Sequence, residues 1–146
     1  MTPPRRAVLY SPELLQLAVE LAAYPLDQSA ALQGAARSRS CGSEIALSVS
    51  LRPDGALANV GMRVTACAVG QGAAAIFAAA AKGANVSSLA ENLDQISAWL
   101  KADGPVPHWP RIAMLAPARE YPGRHDAILL PWRAALDALS NTGGGR

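Results

Sequence analysis

Cysteine is scarce in this chain, with only Cys41 and Cys67 among 146 residues. Two cysteines do not make the disulfide framework of a small secreted domain. The start, Met1-Thr2-Pro3-Pro4-Arg5-Arg6, lacks the apolar stretch and small-residue cleavage site of a secretory leader. Reduced thiols in the cytoplasm are therefore expected, with metal binding, redox chemistry and core packing all open to them. Histidine is equally sparse, at two residues, and no Gly-x-Ser-x-Gly elbow, His-Glu-x-x-His pair or Walker loop occurs. The usual hydrolase constellations have little to draw on. Strong charge is lacking too. The net charge is +2, and the basic residues are scattered apart from Arg5-Arg6 and the Arg37/Arg39 pair. No stripe can track a phosphate backbone, which argues against nucleic acid as a partner. The longest uncharged run, Val64 to Ala81, is mostly alanine and contains Thr65, Gly70, Gln71 and Gly72. It reads as a buried helix rather than a membrane span.

What is there suits one domain. Half of the 146 residues are apolar, but alanine supplies much of that and drives burial weakly. The core must rest on Leu, Ile, Val and Trp. We expect an arm over 1–9, a domain over 10–140 and a glycine-rich disordered tail over 141–146.

Ser11-Pro12-Glu13 is a helix start, with Leu14, Leu15, Leu17, Ala18, Leu21 and Ala22 following at helical spacing and Pro25 closing it. Ala31 to Arg39 can be read as helix or as edge strand, and strand is preferred. Glu44 to Leu51 alternates polar and apolar residues, and Leu57 to Val64 follows a Pro53-Asp54-Gly55 turn, which makes a β-hairpin. A helix should begin close behind Cys67, run through the alanines and stop at Lys82-Gly83. Ser87 or Ser88 would cap the next, carrying Leu89, Leu93, Ile96, Trp99 and Leu100 on one face. A short helix over Arg111 to Ala116 and a last helix from about Arg124 to Leu139, broken in pattern by Pro131, complete the order. Strands cluster early and helices come after them. The expected class is α+β: an N-terminal helix, a three-stranded antiparallel sheet, and helices packed on one face.

Cys41-Gly42-Ser43 precedes the hairpin, and Cys67 lies where its second strand gives way to helix. Pairing of the strands would bring both sulfurs to one end of the sheet. At a helix start the dipole and free backbone N–H groups favour the thiolate, the form that binds iron or zinc. Gly42 is free to take a positive φ. The competing reading makes both cysteines small core side chains.

These segments resemble the U-type iron–sulfur cluster scaffolds, the NifU N-terminal domains and the IscU and SufU proteins. The resemblance rests on Cys41-Gly42, the Asp54-Gly55 turn, Cys67-Ala68-Val69-Gly70-Gln71 opening an alanine-rich helix, and the stretch Tyr121 to Ala134 with its Leu130-Pro131-Trp132. It runs from about Tyr10 to Leu139, and the ordered spacing of its segments is what is specific. The resemblance implies a SufE/NifU-type fold and a three-cysteine site helped by an aspartate two residues after the first cysteine. Cys41 and Cys67 fall on the first two positions, while Ser43 stands for the aspartate and Ala127 for the third cysteine. Asp126, ahead of His125, is the candidate replacement ligand, and the plain alternative is that both are polar residues at a helix start.

The implied cargo is iron or a transient 2Fe–2S cluster, or zinc. The implied partners are a cysteine desulfurase or sulfur-transfer protein and apo-protein acceptors, with a homodimer as one way to complete the ligands. Such a protein transfers and does not turn over, so no catalytic residue is assigned. Three other readings stand beside this one. A degenerate, metal-free interaction module of the same machinery would keep the surface without the cargo. Gly70-x-Gly72-x-x-Ala75 fits the short dinucleotide fingerprint, but the chain has no room for repeated βαβ units. His108, between Pro107 and Trp109, and Trp132, at helical spacing with Leu129 and Leu136, read as packing or surface residues.

Overall fold

A computed structural model describes residues 11–39 and 42–143. Helix α1 (Pro12–Glu20) starts as its cap predicts, the Leu14 amide donating to Ser11 Oγ at 3.2 Å. Its buried stripe is Leu14 and Leu17. A 3-10 turn, Leu21–Ala23, carries the chain out before Pro25. The Tyr24 carbonyl then accepts from the Met62 amide, adding a short parallel pairing at Pro25 to the sheet's edge.

The sheet is antiparallel in the order β1 (Leu32–Arg37), β2 (Glu44–Leu51), β3 (Leu57–Thr65). The ambiguous segment is thus an edge strand. Ile45, Leu47 and Val49 of β2 and Met62 of β3 turn to the core. The hairpin turns at Asp54-Gly55 as expected. Gly55 has φ +91°, and Asp54 Oδ1 accepts from the Ala56 amide at 2.9 Å.

Helix α2 (Ala68–Ala80) is the centre of the molecule, buried on nearly every side from Val69 to Ala78. A helix apolar all round is a core helix, which accounts for the long uncharged run. Among the described residues no helix is long and apolar enough to cross a membrane. Gly70 and Gly72 let neighbours in: a β-carbon at 72 would lie 2.6 Å from Leu14 Cδ1 of α1, and one at 70 would lie 2.7 Å from Ala66 Cβ. With an antiparallel sheet, these glycines serve packing and not a pyrophosphate. Lys82 lies beyond the last turn, and Gly83, at φ +87°, makes the exit.

Helix α3 (Val86–Leu100) is capped by Asn85 rather than by either serine. Ser88 instead completes a reciprocal capping box, bonding the Asn85 amide while Asn85 Oδ1 accepts from the Ser88 amide. Where a short helix was expected, a longer 3-10 segment runs over Ile112–Glu120 and holds Pro117. Helix α4 (His125–Gly143) passes through Pro131 and reaches into the stretch assigned to a disordered tail. Pro131 has no N–H to offer the Ala127 carbonyl four residues back. Trp132 is fully buried, edge-on to Phe77 and Trp109, whose indole N–H donates to the Ile76 carbonyl at 3.0 Å. Helix α4 lies across the inner face of β1 and β2.

Candidate functional site

Cys67 occupies the N-cap of α2 with extended backbone (φ −69°, ψ 175°), and its side chain makes no capping bond. It is half-buried and in no disulfide. Gln71 fastens the junction from one turn further on. Its amide donates to the Cys67 carbonyl at 2.9 Å, and its Nε2 donates to the Ala66 carbonyl at 2.9 Å. The strand-to-helix corner is therefore tied on both sides of the Cα of Cys67. The first-turn amides point towards the corner, as at any helix start.

The opposite side of the site is the lead-in to β2. Glu44 pairs with Thr65, so the antiparallel register carries the chain before Glu44 towards the same end of the sheet as Cys67. Gly42 takes φ +72°, the conformation expected of it. Cys41 itself lies outside the described residues. Ser43 is buried, and its carbonyl accepts from the Ser38 amide at 2.8 Å. A hollow of about 380 Å³ leads up to this end, lined among others by Arg37, Glu44, Arg63 and Thr65.

The third segment arrives with α4. Ala127 is 1% exposed and faces the first turn of α2: a β-carbon at Gly70 would be 3.4 Å from its methyl carbon. The position matched to the third cysteine thus abuts the helix that Cys67 caps, but carries a methyl group. Asp126 is paired with Arg133 at 3.6 Å, both half exposed. His125 opens α4 with Nε2 3.1 Å from the Arg119 carbonyl oxygen. Among the described residues no three His, Cys, Asp or Glu side chains come together as a metal-binding group. His108 is exposed in its loop, beside the buried Pro107 and Trp109.

Sequence reasoning missed the Gln71 clamp, although the polar residue inside an otherwise apolar helix was its signal. It also missed the partners of Asp126 and His125, which lie two turns along α4 and in the 3-10 segment Ile112–Glu120.

No protein-family model and no curated protein matches this sequence. Solved structures do match. The N-terminal part of a NifU-like protein from Brucella abortus superposes with a TM-score of 0.85 at 24% identity, over 98% of this chain and 100% of that one. A protein of Fervidobacterium islandicum AW-1, described as a candidate iron–sulfur cluster assembly scaffold for the SUF system, gives 0.79 at 18% identity, over 91% and 98%. A third structure, of a protein without assigned function, gives 0.65 at 14% identity, over 88% and 97%. The chain has the U-type scaffold fold of the NifU-like N-terminal domains and SufU proteins.

Proposed function

We propose that this chain is a scaffold-like protein of iron–sulfur cluster assembly that binds iron, or a transient 2Fe–2S cluster, through Cys41 and Cys67, with zinc as the alternative metal. The observation that supports this most directly is Cys67 itself. Its thiol sits half-buried at the start of the central helix, outside any capping bond, on the corner that Gln71 fixes. A thiolate there meets the positive end of the helix, and thiolates are the usual ligands of zinc and of iron–sulfur clusters.

Two cysteines leave tetrahedral coordination half complete. Asp126 Oδ1 faces Arg133 and His125 Nε2 faces the Arg119 carbonyl, which leaves Oδ2 and Nδ1 as the atoms with which either could complete it. A second chain bringing its own cysteine pair, or a partner protein, would fill it as well. In this reading a cysteine desulfurase or sulfur-transfer protein supplies sulfur, and apo-proteins of the cytoplasm receive the product. The role is transfer, not turnover.

A specific observation favours a second reading, a metal-free interaction module of the same machinery. The position matched to the third cysteine is a buried methyl group, and Asp126 already pairs with Arg133 at 3.6 Å. Oxygen-free reconstitution with iron and sulfide separates the two. Scaffold function predicts visible sulfur-to-iron charge-transfer absorption, lost in Cys41→Ala and in Cys67→Ala. The interaction module predicts colourless protein without bound metal and both variants as stable as the parent, and that outcome would overturn the scaffold reading.

A further inference from the structure

Strand β1 is an edge strand, and two of its outward main-chain groups are occupied by side chains of α4. Asp137 Oδ2 accepts from the Ala35 amide at 2.9 Å, and Asn141 Nδ2 donates to the Gln33 carbonyl at 2.9 Å. These are alternate residues of the strand, and alternate residues of an antiparallel edge point their N–H and C=O groups the same way. Asp137 and Asn141 are four apart on one helix and so share a face. One offers an acceptor and the other a donor, the two functions a neighbouring strand would bring. The helix body stays on the inner face, against Gly34, where an added β-carbon would lie 2.4 Å from the Ala138 nitrogen. The side chains of Asp137 and Asn141 reach round to the edge.

We infer that Asp137 and Asn141 are a strand-mimicking cover, and that what they exclude is pairing of β1 with β1 of a second copy of this chain. Uncovered edges are templates for such pairing. A two-fold axis at Ala35 would set Ala35 opposite its own copy and Gln33 opposite Arg37 of the other chain. Small side chains then meet at the centre, and no like charges face each other across the pair. Such an interface would be made by main-chain groups of β1 and would take no ligand from the cysteines.

The test uses reduced, metal-free full chain in sedimentation equilibrium. The parent should be monomeric, and Asp137→Ala/Asn141→Ala should self-associate at least tenfold more tightly. Adding Ala35→Pro, which removes the outward N–H without taking a bond from β2, should restore the monomer. A double variant that sediments as a monomer, or association that survives Ala35→Pro, would overturn the inference. If the double variant does not fold, Asp137→Ala alone decides by amide exchange. The Ala35 amide should exchange at least tenfold faster while those of Gly34 and Ala36 hold, and an unchanged Ala35 rate would refute the cover.

Discussion

Gly34 of β1 lies so close to the backbone of α4 that a β-carbon on it would stand 2.3 Å from the Ala134 carbonyl oxygen. The obstacle is main chain on a buried helix, so it cannot be moved aside as a flexible side chain can. Gly34→Ala should therefore destabilise the fold by about 2–3 kcal/mol, towards the upper end for overpacking. Gly123→Ala, where an added β-carbon meets nothing within 4 Å, should be close to neutral. Urea denaturation of the two side by side makes the comparison, and equal midpoints would contradict it.

Ala127 presses on the first turn of α2, close to the residue that caps it. Ala127→Cys should place a third thiol near the corner and raise zinc affinity at least tenfold, read by competition with cobalt(II) and its thiolate absorption. Unaltered affinity, with the fold intact by circular dichroism, would remove position 127 from the site.

Glu20 and Arg111 join the end of α1 to the head of the 3-10 segment through two bonds of 3.0 and 2.9 Å. Those hydrogen bonds from Arg111 hold the Glu20 carboxyl below its usual range, outweighing partial burial. The contribution is complete above the unfolded glutamate value and is lost as pH falls through the lower folded value. Being a third exposed or more on each side, the pair should contribute less than about 1 kcal/mol. Glu20→Gln should thus lower the melting temperature slightly at neutral pH and converge with the parent in acid. A gap that widens on acidification would show the sign to be wrong.

Asn85 and Ser88 satisfy each other's amides at the start of α3. Asn85→Ala should cost about 1 kcal/mol, and Ser87→Ala, outside the box, should cost almost nothing. Thermal unfolding of both distinguishes the cap from the serine that the sequence puts forward.

Much of this architecture was legible because its signals are local. Ser11-Pro12, Asp54-Gly55 and the run behind Cys67 each combine a stop or start residue with an unambiguous pattern, and each became the element expected. The cap of α3 was misplaced because Asn85 precedes two serines, and only three-dimensional geometry tells which side-chain oxygen caps the helix and which reciprocates. Burial of Ile128, Leu129, Trp132 and Ala135 holds α4 helical through Pro131, and it outran its expected end where Ala138 and Leu139 are buried and Asn141 bonds the Gln33 carbonyl of β1. Tertiary packing overrode local propensity there. Spacing in the chain put Cys67 at the start of α2 and led the segment around Ala127 to that helix. It could not locate Arg133 or the Arg119 carbonyl as partners of Asp126 and His125, since those contacts depend on side-chain direction.

The Gln71 clamp and the glycine contacts of α2 bear on the proposed handling of cargo at Cys67. In that reading a sulfur at the start of a helix buried from Val69 to Ala78 would be held where the fold puts it. Delivery and collection would then have to be done by visitors with reach of their own, and a visitor's angle of arrival, more than any reshaping of the host, would decide which of them is served.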